Sequence, residues 1–558
     1  METGKTPAVP FAFPSERGWL LCLVAALAIA WFSTLELRGL FIPDEARYAE
    51  IPREMLARGD WVTPRLNDLK YFEKPPLQYW LTAASYAFFG EDEWTARLPA
   101  ALLGFLSLFL LAHAGRVLWS PRAGICAGLV CGSTWGFYLS SQYLTLDMTL
   151  TACLTLVLCS VLLAQRDSAA KAWHLVAWAA AGLAVLSKGL VGIVLPAISV
   201  LCYAALTGQW RLIAKLASVR GVLVFLGIAL PWFVAVQQRN PEFFDFFFIH
   251  EHVERFLYPA HHRTGPWWYY APILLLGFMP WSLSLAQEAY ALLRGRLKLP
   301  SGFSPSLFAL VWATAVVVFF SASSSKLPGY IVPAFPALAL ILGERLARAG
   351  SAPLCLAGWG GALAGAGGLV LVSRLSGSQK FGVFFAEGLD AARWLYAAAA
   401  LLLVGSSVAV LSVRRGRNYV AIGSILFGTY GAWICVFGLL HAVDGHYSTE
   451  RLVEGLTNET KPFKPEDAFY SIGLFDHSVP FYLGRPVTLV ASKDELAPGI
   501  AAEPEKFVDS VDRFEDRWRA HSQAYAIMKL DTFAALESRR VPMVRRAQDR
   551  RYVIVSRR

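Results

Sequence analysis

Long apolar runs separated by short polar segments are the dominant pattern of this chain. A helix needs about 20 residues to cross the hydrocarbon core of a bilayer, so each run near that length predicts a spanning helix. Thirteen such runs occur, at 18–35, 98–115, 123–142, 148–164, 173–186, 189–206, 221–236, 267–285, 307–322, 329–343, 354–373, 391–412 and 419–440. The pattern therefore predicts about 13 transmembrane helices.

Three stretches need a finer interpretation. Leu77–Phe89 is too short to span and predicts an interfacial helix. The stretch 172–206 is interrupted only by "SKG" at 187–189, so it predicts a helical hairpin. The first run has no small-residue cleavage site behind it, so we expect it to stay in the mature chain as a helix.

The composition agrees with a polytopic membrane protein. The 558 residues have a mean hydropathy of +0.45, and 56% are hydrophobic against 16% charged, which leaves too little polar surface for a soluble globule. All eight cysteines lie in or beside apolar runs, so no disulfide framework or cysteine metal site is predicted. Arginines in short loops explain the net charge of +10, which therefore gives no reason to expect nucleic acid as a partner.

The distribution of basic residues sets the predicted orientation. With a cytoplasmic N-terminus, the tail 1–17 and the alternate loops hold seventeen Lys and Arg against five Asp and Glu. Cytoplasmic loops are enriched in Lys and Arg, which favours this arrangement. An odd number of spans then places the first long loop, 36–97, and everything after Ala442 on the exported side.

Two domains are predicted. Residues 1–442 form a transmembrane domain that includes the loop 36–97, and residues 443–558 form a separate module. In that module the strand-like stretches "AFYSIGL", "PVTLV", "AYAIMKL" and "RYVIVSRR" alternate with the helical stretches "SVDRFEDRWRAHS" and "DTFAALESRR". We therefore expect a polytopic α-helical membrane protein with a small C-terminal α/β domain.

Charged and phenolic residues concentrate on the predicted exported face. The densest cluster is "FIPDEARYAEIPRE" at 41–54, directly after the first apolar run. Charges at a membrane boundary are costly without a partner, so they are candidates for function. The other exported groups are Tyr71, Glu73 and Lys74 in "YFEKPP", Asp147, Lys188, "HEHVER" at 250–255, "HHR" at 261–263, and Lys326 and Tyr330 in "SKLPGY".

Purely structural roles compete with function for several of these residues. Glu50, Arg53 and Glu54 fall at helical spacing and could form i,i+3 and i,i+4 pairs on a solvated face. Asp44 could be only an N-cap, and Asp147 could cap the helix that follows it.

An anionic amphiphile suits this set of side chains. Arginine binds phosphate bidentately and lysine binds it as a point charge. Carboxylates beside them can bind hydroxyls, an amine or a metal ion. A phosphosugar on a lipid tail combines these features, so it is the predicted class of ligand.

The motifs resemble those of one enzyme family. The stretch "PDEARYAEIPREMLARGDWVTPRLNDLKYFEKPPLQYW" resembles the first-loop signature of the bacterial lipid A aminoarabinose transferases, which are GT-C polyprenyl-phosphate-dependent glycosyltransferases. "EHVERF", "GPWWYYAP" and "SKLPGYIVPAFP" resemble later motifs of that family, in the family's order. Thirteen spans with a soluble C-terminal domain, here periplasmic, is also the architecture that the family implies.

The resemblance implies roles for individual residues. The implied catalytic residues are Asp44, Asp147 and Lys74, the two aspartates matching essential exported aspartates of the family. The implied substrate-binding residues, which include contacts to the carrier phosphate, are Arg47, Tyr71, Tyr330, Lys326 and Arg255. Glu73 and His252 match a pair that can hold a divalent metal such as zinc in a structural role, although the sequence itself requires no cofactor.

The implied activity is transfer of 4-amino-4-deoxy-L-arabinose from undecaprenyl phosphate to lipid A phosphates. It would occur at the periplasmic face of the bacterial inner membrane and confer resistance to polymyxin and other cationic peptides. The implied partners are the carrier-linked aminosugar, lipid A and membrane lipids.

Two other classes of function stay open. The first-loop motif and helical core also occur in protein O-mannosyltransferase-like families, so protein mannosylation or another envelope glycosyl transfer is an alternative. A flippase or secondary transporter is the second. Transporters place charges near the bilayer midplane, often in repeated halves, whereas the charges here crowd one face.

Overall fold

A computed structural model of the chain describes residues 17–166, 171–254, 265–294, 302–349, 351–376, 389–457, 464 and 467–557. The chain forms two compact units. The helical unit comprises Met1–Leu35, Leu98–Gln237 and Glu242–Ala442, and the mixed unit comprises Glu36–Arg97, Gln238–Pro241 and Val443–Arg558. The first exported loop is thus grouped with the C-terminal segment, whereas the sequence assigned it to the transmembrane domain.

Membrane-length helices dominate the helical unit. Among the described residues eight helices are long and apolar enough to span: Glu93–Leu118, Leu146–Arg166, Val219–Arg239, Pro305–Ala322, Pro328–Arg348, Ala352–Ser376, Ala392–Arg414 and Asn418–Ala442. The pair Pro121–Ser133 and Trp135–Gln142, bent by 64°, makes a ninth if counted as one span. An integral membrane protein is therefore confirmed, while the total of 13 spans stays a prediction.

Shorter helices account for the remaining predicted runs. Three apolar ones cover Leu21–Phe32, Ala172–Lys188 and Val191–Thr207. The predicted run 267–285 is divided into Tyr270–Gly277 and Ser282–Arg294. Further helical segments of this unit are Arg211–Leu216, Asp245–Glu254 and the 3₁₀ turn Pro328–Ala334.

The predicted hairpin break is confirmed. One helix ends at Lys188 and the next begins at Val191. Gly189 between them has φ +76°, a left-handed conformation that glycine adopts without a steric penalty. The break therefore places the Lys188 side chain at a helix end.

Small residues let the last three spanning helices approach closely. A Cβ at Gly365 would lie 2.5 Å from the backbone nitrogen of Leu403, and one at Gly405 would lie 2.6 Å from the carbonyl oxygen of Ser424. Inside a bilayer, association of helices relies on such close packing, because lipid is as apolar as the side chains.

A mixed sheet forms the core of the second unit. Its strands are β3 Ala468–Ile472, β4 Thr488–Val490, β5 Phe507–Val508, β6 Ala524–Lys529, β7 Val544–Gln548 and β8 Tyr552–Ser556, and a separate hairpin pairs β1 Arg65–Leu66 with β2 Leu69–Lys70. The order is β5-β4-β3-β6-β8-β7, parallel from β5 to β6 and antiparallel beyond. The predicted α/β module is confirmed.

Helices complete the mixed unit. The predicted helical stretches form Val511–Ala520 and Leu530–Ser538, and their Phe514, Trp518 and Leu536 are buried in the core against the sheet. The shorter helices and turns are Asp444–His446, Glu450–Thr457, Ser478–Leu483, Asp494–Leu496, Ala497–Ala502 and Pro504–Lys506. The first loop adds Asp44–Arg58 and Leu77–Phe89, the second with the bounds predicted for an interfacial helix.

The helix Asp44–Arg58 is buried on nearly all sides. Eleven of its residues are buried, including Glu45, Glu50, Arg53 and Glu54. The predicted i,i+3 pair is present, since Arg53 binds Glu50 at 2.7 Å. The prediction that these residues form a solvated face is wrong, because Glu50 is fully buried and Arg53 is 5% exposed. The alternation of charges therefore reflects internal pairing and not contact with water.

Glu45 is the most tightly held of these carboxylates. It accepts hydrogen bonds from the guanidinium groups of Arg38 and Arg97, each with a contact of 3.0 Å. Burial opposes its ionisation, but the two arginines outweigh burial and lower the pKa of Glu45 to about 2.

Replacing Glu45 by Gln is expected to lower the stability of the mixed unit by about 3 kcal/mol, because two buried guanidinium groups would lose their counter-charge. The unfolding midpoint of the purified protein in detergent measures the loss. Asp512→Asn is the matched control, since Asp512 pairs with Arg539 at an exposed site and is expected to change stability by less than about 1 kcal/mol. Equal unfolding midpoints for Glu45→Gln and the wild type would contradict the assignment of Glu45 as the counter-charge of the two buried arginines.

Candidate active site

Two clusters of charged and phenolic side chains contain several of the predicted site residues, one cluster in each unit. The Asp147 cluster, in the helical unit, consists of Asp147, Lys188 and Tyr330. The Arg47 cluster, in the mixed unit, consists of Asp44, Arg47, Tyr71, His477 and Glu495.

Three separate segments meet at the Asp147 cluster. Asp147 lies in the first turn of Leu146–Arg166, and its carboxylate accepts a hydrogen bond from Lys188 Nζ. The same Nζ lies 4.5 Å from the centroid of the Tyr330 ring, within cation–π range. The Asp147 carboxylate is thus held by a cation and not only by a helix end. The sequence had placed Lys188 on this face without giving it a role.

Glycine at 329 is required for this approach. A Cβ at that position would collide with the carboxylate of Asp147. Tyr330, the next residue, also packs its ring 4.9 Å from that of Phe320. The 3₁₀ turn Pro328–Ala334 is therefore held directly against the Asp147 carboxylate.

Lys326 is buried beside this turn. Its Nζ donates hydrogen bonds to the carbonyl oxygens of Ser321 and Ser323, the first at 3.0 Å. These bonds fix the ammonium group in the loop that follows helix Pro305–Ala322. A role for Lys326 in binding substrate stays a prediction.

Arg47 is the centre of the other cluster. Its Nη2 donates to Glu495 Oε2 at 2.6 Å, and its Nη1 lies 3.5 Å from Asp44 Oδ1. Glu495 Oε1 in turn lies 2.6 Å from His477 Nε2. The Arg47 guanidinium group therefore joins the first loop to the C-terminal module through the carboxylate of Glu495.

The Asp44 carboxylate does not cap its own helix. The helix begins at Asp44, Pro43 occupies the N-cap position, and no side-chain capping hydrogen bond is present there. The N-cap explanation is therefore wrong. The side chain of Asp44 is 35% exposed, against 7% for its partner Arg47.

Two buried donors of this cluster are not used within the described part of the chain. They are Arg47 Nε and the Tyr71 hydroxyl. The guanidinium carbon lies 6.0 Å from the centroid of the Tyr71 ring. Burial, assisted by the charge of Glu73, raises the pKa of Tyr71 well above its usual range, so the phenol stays protonated and can donate to an anion.

Glu73 and Lys74 adjoin this cluster in sequence. Lys74 Nζ donates to the Glu73 carbonyl oxygen at 2.8 Å and lies 4.0 Å from its carboxylate. His252 falls within the helical segment Asp245–Glu254, but its side chain, like the whole of Arg255, lies outside the described residues. The substrate contact of Arg255 accordingly stays a prediction.

Metal binding by Glu73 and His252 stays a prediction. Among the described residues no group of three His, Cys, Asp or Glu side chains is arranged to hold a metal ion, and two ligands are too few for a closed structural zinc site. Glu73 has a cation close to its carboxylate.

Sequence reasoning missed Glu495 and His477. Both lie in the C-terminal module, where Glu495 belongs to the short turn Asp494–Leu496 and looks like a surface acid in sequence. Its partner Arg47 is 448 positions away. No local signal could identify that pairing, although the density of charge around Arg47 marked one half of it.

Each cluster places a cation beside a carboxylate. Arg47, Lys188 and the Tyr71 hydroxyl can bind phosphate oxygens, and charge-assisted contacts of this kind are the stronger hydrogen bonds. Asp44 and Asp147 can accept hydrogen bonds from hydroxyl or ammonium groups.

Comparison with known proteins decides the family. The crystal structure of ArnT from Cupriavidus metallidurans bound to undecaprenyl phosphate is 37% identical, with a TM-score of 0.90 over 98% of this chain and 99% of that one. This chain belongs to the aminoarabinose transferase family. It has the family's GT-C glycosyltransferase fold, and its residues 457–557 match the model of the aminoarabinose transferase C-terminal domain.

Curated relatives support the same family assignment. The undecaprenyl phosphate-α-4-amino-4-deoxy-L-arabinose arabinosyl transferase 2 of Pseudomonas fluorescens is 34% identical over 59% of this chain, and the corresponding transferase of Edwardsiella ictaluri is 33% identical over 64%. The matches span 56% and 64% of those proteins, less than two thirds of their length. Residues 73–234 also match the family model of dolichyl-phosphate-mannose-protein mannosyltransferases.

Glu495→Gln is expected to remove a contribution to the free energy of unfolding that the ionised Glu495 carboxylate makes at neutral pH. Burial alone would raise the pKa of Glu495, but His477 and Arg47 lower it below its usual value. A carboxylate with a lowered pKa in the folded state stabilises the protein above its unfolded pKa, near 4.5, and the contribution disappears as the pH falls through the folded value. The difference in unfolding midpoint between wild type and Glu495→Gln should therefore be full at pH 7 and shrink below about pH 4.5. A difference that does not change with pH would refute the pairing.

Proposed function

We propose that this protein transfers 4-amino-4-deoxy-L-arabinose from undecaprenyl phosphate to a phosphate group of lipid A, and thereby confers resistance to polymyxin and other cationic peptides. The observation that carries the proposal is the full-length similarity to ArnT bound to undecaprenyl phosphate, combined with two cation–carboxylate clusters at the predicted exported residues. The names of the curated relatives give the same donor sugar and carrier.

Binding of two anions is the main task of such a site. The acceptor phosphate is already ionised at neutral pH and the leaving group is a phosphate, so little general-base catalysis is required. Arg47, Lys74 and Lys188 supply the positive charge that offsets repulsion between donor and acceptor phosphates. Fixed cations lower the barrier because they need no reorganisation during the reaction.

The two aspartate carboxylates bind the sugar in this proposal. Asp44 and Asp147 accept hydrogen bonds from its amine and hydroxyl groups and stabilise the positive charge that develops at the anomeric carbon. Their fixed partners, Arg47 and Lys188, hold them in place, which supports alignment of the anomeric carbon with the attacking oxygen.

A periplasmic site fits this chemistry. The positive-inside distribution supports an exported position for both the first loop and the C-terminal module. Lipid A phosphates and the carrier phosphate lie at the level of lipid headgroups. A site at the exported boundary of the spanning helices would reach both.

A protein hydroxyl is the competing acceptor, favoured by the mannosyltransferase family match. That reaction requires a base to take the hydroxyl proton. The Asp147 carboxylate is already hydrogen-bonded to Lys188, and Asp44 lies within 3.5 Å of Arg47. Both carboxylates are thus less available as bases, which supports the phosphate acceptor.

Mass spectrometry of lipid A tests the proposal. In a host that lacks its own transferase, the wild-type chain is expected to add a pentosamine to lipid A phosphate, whereas Asp44→Asn and Asp147→Asn should reduce the addition at least about 100-fold. Asp512→Asn, at an exposed pair, is the control with full activity. Unmodified lipid A together with glycosylated envelope protein would favour the mannosyltransferase alternative, and full activity in either aspartate variant would remove that residue from the site.

Lys74→Gln is expected to weaken binding of undecaprenyl phosphate at least about tenfold, because a charge-assisted contact to phosphate would be lost. Arg47→Gln should act similarly. Equilibrium binding of the carrier to purified protein measures both, with Lys529→Gln at an exposed strand end as the control. Wild-type affinity in both variants would exclude these residues from the phosphate site.

A further inference from the structure

A lateral groove on the helical unit is lined by none of the candidate site residues. It has no role in the proposed transfer. Its volume is about 610 Å³, and it is lined by Cys22 and Leu23 of helix Arg17–Phe32 and by residues of the last two spanning helices. That volume is in the range of pockets that bind small molecules.

The lining forms two apolar stripes. Val404 and Val408 lie one turn apart on helix Leu389–Arg414, and Tyr419, Gly423 and Phe427 follow at intervals of four residues on helix Asn418–Ala442. Residues spaced in this way share one face of a helix. From Tyr419 to Phe427 the stripe is about 12 Å long, close to the roughly 15 Å of one leaflet of the hydrocarbon core.

The groove is open to its surroundings. Phe427 is 65% exposed and Val404 is 59% exposed. Both belong to helices long and apolar enough to span a membrane. An extended hydrocarbon chain therefore matches the shape and the polarity of the groove.

Three arginines lie where the two helices that line the groove are joined, at one end of the apolar stripes. Arg414, Arg415 and Arg417 are exposed, and none of them forms a salt bridge with another described residue. The loop that carries them is short and closed, because the backbone N–H groups of Arg415 and Arg417 bond back to the Ser412 carbonyl. Tyr419, at the same end of the apolar stripe, follows two residues after Arg417.

We propose that this groove binds a phospholipid with an anionic headgroup, such as phosphatidylglycerol. One acyl chain lies along the apolar stripes and the phosphate is held by Arg415 and Arg417. Arginine suits this role because its planar guanidinium binds phosphate oxygens bidentately. Basic residues between or beside spanning helices recognise anionic lipids by the same combination of charge and chain.

Two pairs of variants separate specific binding from general attraction to a charged membrane. Arg415→Gln/Arg417→Gln removes the proposed headgroup contact, and Arg116→Gln/Arg122→Gln removes two exposed arginines at another loop predicted to face the same side. Gly423→Leu fills the groove, since a Cβ there meets no atom within 4 Å, and Gly367→Leu is its control at an equally open helix position.

Native mass spectrometry in detergent with phosphatidylglycerol or phosphatidylcholine gives the readout. Wild type is expected to retain phosphatidylglycerol in preference to phosphatidylcholine. The affinity for phosphatidylglycerol should fall about fivefold for each arginine removed at 415 and 417, and should fall again with Gly423→Leu, while both controls keep the wild-type value. No preference between the two lipids, or an equal loss in the variants and their controls, would overturn the proposal.

Discussion

The cost of burying charge is the constraint on which the mixed unit depends. Glu45 is fully buried, yet it lies between the guanidinium groups of Arg38 and Arg97 and stays ionised. An unpaired carboxylate in that position would be several kcal/mol less favourable. The buried helix Asp44–Arg58 can therefore exist only where those arginines meet it. Its neighbours Glu50 and Arg53 satisfy the same requirement within one turn.

The same requirement links the first loop to the C-terminal module. Arg47 is balanced by Glu495, Arg65 by Glu503, and Asn67 exchanges two hydrogen bonds with the backbone of Val487. The module thus supplies part of the Arg47 cluster and is not merely an appended domain. Through Glu495 its fold fixes the direction of the Arg47 guanidinium group. The Nε of Arg47 and the hydroxyl of Tyr71 have no hydrogen-bond partner among the described residues.

Within the helical unit the balance of forces is different. Glycine positions bring the last helices close together, and most of the stabilisation there comes from packing and not from charge. Charges lie at helix ends, as with Asp147 and Lys188. The arginines at 414, 415 and 417 also lie at helix ends, at the other predicted face of the membrane. Charge therefore accumulates where headgroups lie, and both proposed ligands of this chain are phosphate-bearing lipids.

The amino-acid sequence by itself determined the class of protein, most helix positions and four of the six strands of the main sheet. These properties depend on local hydrophobicity and periodicity, so a short window contains the information. It also singled out Asp44, Arg47 and Asp147, because charge at a membrane boundary is costly wherever its partner lies. Tyr330 was indicated by the resemblance of its motif. Only the tertiary structure decided which groups pair, as in Arg47 with Glu495 and Asp147 with Lys188. Those partners meet through folding of distant segments, and nothing in the residues around one partner specifies the other.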